Sequence, residues 1–129
     1  MKNYEGKHKL QADTLDNLYE QKIIDNIGYI HLDVEGMEHR ILLGSVNIIS
    51  IFNPIITFEG HVRFEKREIQ KNVSFLKDRQ YSIYMIKDVI LRNQCWSDCR
   101  NFLAFPSNVD HKEIVNVLNS KYNNCLTPV

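Results

Sequence analysis

Neither sign of charge prevails in this sequence: its 16 lysines and arginines are matched by 16 aspartates and glutamates. Without a net field, nothing in the composition draws the chain to nucleic acid or to an anionic membrane surface. Long apolar runs are lacking too. The longest, Ile41 to Phe52, is broken by Gly44, Ser45, Asn47 and Ser50 and falls short of a bilayer span. The opening stretch, MKNYEGKHKLQADTLDN, holds no apolar segment of signal-peptide type, so a cytoplasmic protein is expected. Cysteine is scarce. Cys95, Cys99 and Cys125 are an odd set, read as reduced thiols, and the Cys-x-x-x-Cys spacing is not that of a structural zinc site. Glycine occurs only at Gly6, Gly28, Gly36, Gly44 and Gly60, with no G-x-G among them, which excludes a glycine-rich cofactor loop of the usual kind.

What is present suits one globular domain. The 129 residues are 43% hydrophobic and 25% charged, a composition without a disorder signal, and residues 1–129 are read as a single domain with tails at 1–12 and 119–129. Asp13 to Ile24 carries cap-type residues followed by Leu15, Leu18, Tyr19 and Ile23, which predicts a short amphipathic helix. Tyr29 to Val34 alternates, with Ile30, Leu32 and Val34 on one face and Tyr29, His31 and Asp33 on the other, which predicts a strand. From Met37 to Phe52 the polar or small residues line one side of an otherwise apolar helix, ended by Asn53-Pro54. "PIITF", residues 54–58, reads as a strand covered on both faces.

Further on, Glu65 to Arg79 is helical in period, Gln80 to Leu91 is β-branched and aromatic, and "NFLAFP" is a compact strand. Asp110 and Glu113 at capping-box spacing open a last helix. Helices alternating with strands argue for an α/β sheet with crossover helices, and two consecutive strands near the end predict that one of them runs antiparallel.

In open α/β sheets ligands bind beyond the carboxyl ends of the parallel strands. The strand at 29–34 delivers Asp33 and Glu35 to that edge, and the strand at 54–58 delivers Glu59 and His61. These four are the candidate catalytic residues, groups that can bind a polar acceptor or take a proton. A carboxylate just before a helix can also simply cap it. Gly36, at a strand-to-helix turn, is expected to supply a backbone conformation that other residues avoid. His31 is read as a packed or hydrogen-bonded histidine rather than a ligand. The "NVS" sequon at Asn72 lies on a predicted helix and is discounted. Trp96, Tyr81 and Tyr84 are read as packing aromatics rather than a stacking surface.

"TLDNL" at Thr14 to Leu18, "IGYIHLDVEGMEHRILLGS", "NPIITFEGH" and "CRNFLAFP" resemble, in order and spacing, the C-terminal half of the FkbM-type S-adenosylmethionine-dependent methyltransferases. The resemblance covers about residues 10–106, with Asp33-Val34-Glu35-Gly36 and Glu38 as its most specific part. It implies a partial Rossmann-like class I methyltransferase sheet, mostly parallel with an antiparallel last strand and lacking the first three strands. It implies S-adenosylmethionine as cofactor and O-methylation of a small-molecule hydroxyl, such as one on a sugar, with Asp33 and Glu35 positioning the acceptor and Glu59 or His61 taking its proton.

With the cofactor-binding strands absent from this truncated chain, fragment or subunit, the edge strand 29–34 is expected to recruit a second copy in a homo-oligomer, a complementing N-terminal half or, in a fragment, the missing residues themselves. Neither nucleic acid nor membrane is expected. The alternative is a non-catalytic methyltransferase-fold remnant that oligomerises or binds a partner. A metal-dependent hydrolase using the same carboxylates is a weaker reading.

Overall fold

A computed structural model describes residues 11–61, 66–87 and 99–129, with His61 and Cys99 described through their backbone alone. The elements are α1 (Leu15–Glu20), β1 (Tyr29–Leu32), α2 (Glu38–Leu43), α3 (Val46–Phe52), β2 (Ile55–His61), α4 (Lys66–Lys77), β3 (Ser82–Ile86), β4 (Cys99–Phe105), α5 (Lys112–Lys121) and β5 (Leu126–Pro128). The five strands form one sheet in the order β1-β2-β4-β3-β5.

The fold is α/β, as expected, but the sheet is not mostly parallel in its pairings. β1 and β2 pair parallel, whereas β2–β4, β4–β3 and β3–β5 are all antiparallel. The reversed strand β4 inserts between β2 and β3 instead of following at the edge, and so converts their neighbour relation into two antiparallel ones. β5 is a second departure. It lies in the segment read as a tail, where three residues ending in Pro128 leave too little periodicity to see. Asn119 fixes it in place, its side chain donating to the Leu126 carbonyl at 3.2 Å and accepting from the Leu126 N–H at 2.8 Å.

The predicted helix from Met37 to Phe52 is two helices, and the break is made from outside the segment. Gly44 caps α2, and a Cβ there would lie 3.0 Å from Thr14 Cγ2, so the segment leading into α1 presses directly on the joint. Asp16 completes it. Its backbone N–H donates to the Gly44 carbonyl at 3.0 Å, and its carboxylate accepts from the N–H groups of Asn47 and Ile48, both at 3.0 Å, supplying the free donors at the start of α3. Asp16, in the first turn of α1, thus caps another helix. The first helix itself is shorter than expected, and α5 starts at Lys112 with His111 as its N-cap, so the Asp110 box is only a weak contact to the Lys112 N–H at 3.4 Å. The continuation of β3 to Leu91, together with Cys95 and Trp96, lies outside the described residues.

Each face of the sheet has its own cover. Ile30, Leu32, Ile56, Phe58, Phe102 and Ala104 point to the face shared with α2, α3 and α4, where the Phe58 and Phe102 rings stack at 4.8 Å. Full burial of a side chain such as Phe58 or Leu76 contributes about 1.5–3 kcal/mol. On the opposite face α5 packs Val115 and Leu118 against Phe105, Leu103 and Leu126, over β4, β3 and β5. The β1 end of that second face carries Tyr29 and His31, both exposed. Asn72, the sequon residue, is 2% exposed inside the α4 interface, which agrees with discounting it. Among the described residues no helix is long and apolar enough to cross a membrane.

Candidate functional site

The rim of the site starts where β1 stops. Leu32, its last residue, lies opposite Phe58, so Asp33 and Glu59 follow at the same level of two parallel strands. Contrary to the sequence reading, Glu59 and His61 do not lie past the end of β2 but within it, because β2 runs to His61 and pairs there with β4, Glu59 opposite Asn101 and His61 opposite Cys99. β4 lends the extra pairing that a β1 neighbour alone would not. His61 therefore sits two residues beyond Glu59 and past the level of β1. Gly60 between them has its space filled by Ile69 of α4. Asp33 is exposed and Glu59 half-buried. Among the described residues no group of three His, Cys, Asp or Glu side chains is arranged to hold a metal ion.

Glu35 and Gly36 make the turn. Both have positive φ, 50° and 92°, and the Met37 N–H donates to the Val34 carbonyl at 3.3 Å. Two consecutive positive φ values are the pattern of a type I′ turn, in which glycine, asparagine and aspartate are the usual residues. Gly36 thus has the conformational role expected of it. Glutamate has no such preference, and its left-handed backbone costs on the order of 1 kcal/mol. The strain is held by Glu38, the first residue of α2 and only 3% exposed, whose Oε1 accepts from the Val34 N–H at 3.1 Å and the Gly36 N–H at 3.3 Å. Hydrogen bonds to a charged acceptor are worth about 1.5–3 kcal/mol, enough to outweigh the turn. Among the described residues the Asp33 and Glu35 carboxylates meet no hydrogen-bond partner, so neither caps α2.

Next to the rim lies a polar cluster not anticipated from sequence. Thr57 Oγ1 is 2.6 Å from the Tyr29 hydroxyl and 2.8 Å from His31 Nδ1. A single hydroxyl proton cannot serve both neighbours as donor, so the Thr57 oxygen accepts from at least one of them. His31 is hydrogen-bonded, as expected of it. The clue in the sequence was the alternation of residues 29–34, which becomes informative only once Tyr29 is known to face Ile55, and His31 to face Thr57.

β1 is also an edge. The Ile55 N–H donates to the Gly28 carbonyl at 3.0 Å, so in the parallel ladder residues 28 and 30 turn their backbone groups to β2, while Tyr29 and His31 turn theirs outward. Among the described residues no strand pairs with that outer side. A groove of about 430 Å³ runs along it, lined by Asp13, Leu15, Ile30, Leu32, Arg40 and Ile41 among others. The Asn17 side chain and the Thr14 N–H bond to Asp13 and hold its carboxyl below the ordinary carboxylate range, while Arg40 brings the opposite charge to the same lining.

No described glycine offers a cradle for a nucleotide-like cofactor. The space above Gly44 is filled by Thr14 and that above Gly60 by Ile69, Gly36 is committed to the turn, and Gly28 stands alone in open space. The described residues therefore do not fit the cofactor themselves. Against known proteins, residues 2–83 match the model of the methyltransferase FkbM domain, 10–83 of them within the stretch where the sequence shows its resemblance. Neither a curated protein nor a solved structure matches the chain.

Proposed function

Since the chain belongs to the FkbM methyltransferase family, we propose that it forms the acceptor side of an S-adenosylmethionine-dependent O-methyltransferase acting on a small-molecule hydroxyl, such as one on a sugar. The observation that supports this reading is the register of Leu32 with Phe58, after which Asp33 leaves the end of β1 and Glu59 continues along β2. Ionised carboxylates accept hydrogen bonds from hydroxyls, so Asp33 and Glu35 hold and orient the acceptor. Glu59 or His61, next along β2, takes the proton that the reacting hydroxyl gives up.

The cofactor is held by a complementing N-terminal half, or by a second copy of the chain, added along the outer side of β1. Two copies joined at β1 would still bring no glycine loop. A complementing half, on a separate chain or in residues preceding these, is therefore what makes the site whole. A second reading, a non-catalytic remnant that assembles through the same edge, is favoured by the absence of any G-x-G in the sequence.

Methyl transfer from isotopically labelled S-adenosylmethionine to a panel of hydroxyl compounds, by the assembled enzyme, decides between them. Asp33→Asn should lose at least about a hundredfold in rate with its melting temperature unchanged. Transfer that survives the substitution would remove Asp33 from the site, and a fall in melting temperature would assign it to the fold.

A further inference from the structure

Of the rim residues, Glu35 occupies the position where its chemistry fits the backbone least. An asparagine or glycine would make the same turn without strain, and the Glu35 carboxylate is exposed and makes no hydrogen bond among the described residues. A side chain that stands against local preference and without a structural contact points to a role outside the fold. The device that keeps it there is unusual as well. Glu38 buries a carboxylate, a costly group to remove from water, and directs it back onto the N–H groups on either side of Glu35. Met37, the N-cap of α2, offers no side-chain hydrogen bond, so the Glu38 carboxylate serves the turn and not a capping partner.

We propose that Glu38 is a positioning residue: by accepting from the Val34 and Gly36 N–H groups it locks Glu35 in the left-handed conformation and so fixes where the Asp33 and Glu35 carboxylates meet the acceptor. The inference rests on the reading of those two carboxylates as acceptor-binding groups. It adds the residue that preorganises them.

The test compares Glu38→Ala and Glu38→Gln with the wild type, by amide hydrogen exchange on the full chain and by methyl transfer in the assembled enzyme. Glu38→Gln keeps one carbonyl oxygen on the same stem. Loss of the carboxylate in Glu38→Ala should speed exchange at Val34 and Gly36 by about tenfold or more while the amides of Ile56 and Leu76 stay protected, and Glu38→Gln should return them to within about threefold of wild type. Methyl transfer should follow the same order, falling in Glu38→Ala and recovering in Glu38→Gln. Unchanged exchange at Gly36, or an equal acceleration at Leu76, would overturn the proposal, the second by making Glu38 a general stabiliser of the fold. A freed turn with undiminished transfer would overturn it as well. If Asp33→Asn and Glu35→Gln then proved equally silent, the fault would lie in the reading of the rim and not in the hold exerted by Glu38.

Discussion

Ile69 of α4 stands where a side chain on Gly60 would have to go: a Cβ at Gly60 would lie 2.5 Å from Ile69 Cγ1 and 2.7 Å from its Cδ1. The contact seats α4 on the stretch of β2 that carries Glu59 and His61. Gly60→Ala should therefore cost about 1–3 kcal/mol through overpacking. Trimming the partner, Gly60→Ala with Ile69→Val, should recover part of that loss. Denaturant unfolding of the single and double variants measures the coupling, and strictly additive effects would contradict the contact.

Asp16 joins α1 to α3 through two N–H groups. Replacing it with alanine should destabilise the chain by about 1–2 kcal/mol, as for loss of a strong N-cap, and asparagine, which keeps one of the two accepting oxygens, should restore only part of it. Thermal unfolding monitored by circular dichroism reads both effects.

Tyr81 donates to the Pro54 carbonyl at 2.8 Å, and burial pushes its phenol from the ordinary 10.0 up to about 12. The folded state thus prefers the protonated ring. The stabilisation is whole below pH 10, where folded and unfolded chains both keep the proton, and is lost as pH rises from 10.0 towards about 12. Tyr81→Phe should be less stable than wild type near neutral pH by about 1 kcal/mol, through the unpaired carbonyl. The gap should close in alkaline melts. A gap that widens above pH 10 would contradict the burial of this hydroxyl.

The outward backbone groups of β1 belong to Tyr29 and His31. His31→Pro removes one outward N–H and places a ring against any added strand, while sparing the groups that face β2. Its expected outcome is loss of partner binding in sedimentation velocity with folding retained. Ile30 and Leu32, which the alternation also offers as targets, are 9% and 4% exposed, and charges there would unfold the core instead.

Much of this was legible in the sequence, and the exceptions share one cause. The alternation in Tyr29–Leu32, the buried run of β2 and the turn at Gly36 are local patterns, and each appears where the pattern puts it. The break at Gly44, the capping of α3 by Asp16 and the Thr57 bridge between Tyr29 and His31 are set by residues about thirty positions apart, which no local period records. Glu59 was placed past its strand because the pairing with β4 that extends β2 to His61 comes from residues some forty positions later. Within the rim, Glu38 was visible beside Asp33-Val34-Glu35-Gly36 in the most specific part of the resemblance. Its role was not, because a carboxylate at the first position of a helix ordinarily faces water and serves the helix dipole.

Calorimetric titration with S-adenosylmethionine, with the mass followed by light scattering, tests most directly the claim that this chain supplies the acceptor side and receives the cofactor side along β1. The account predicts no binding by the folded 15.2 kDa chain alone, binding once a complementing half is added, and loss of that binding in His31→Pro. Tight binding of the cofactor by the monomeric chain, unaffected by His31→Pro, would contradict it.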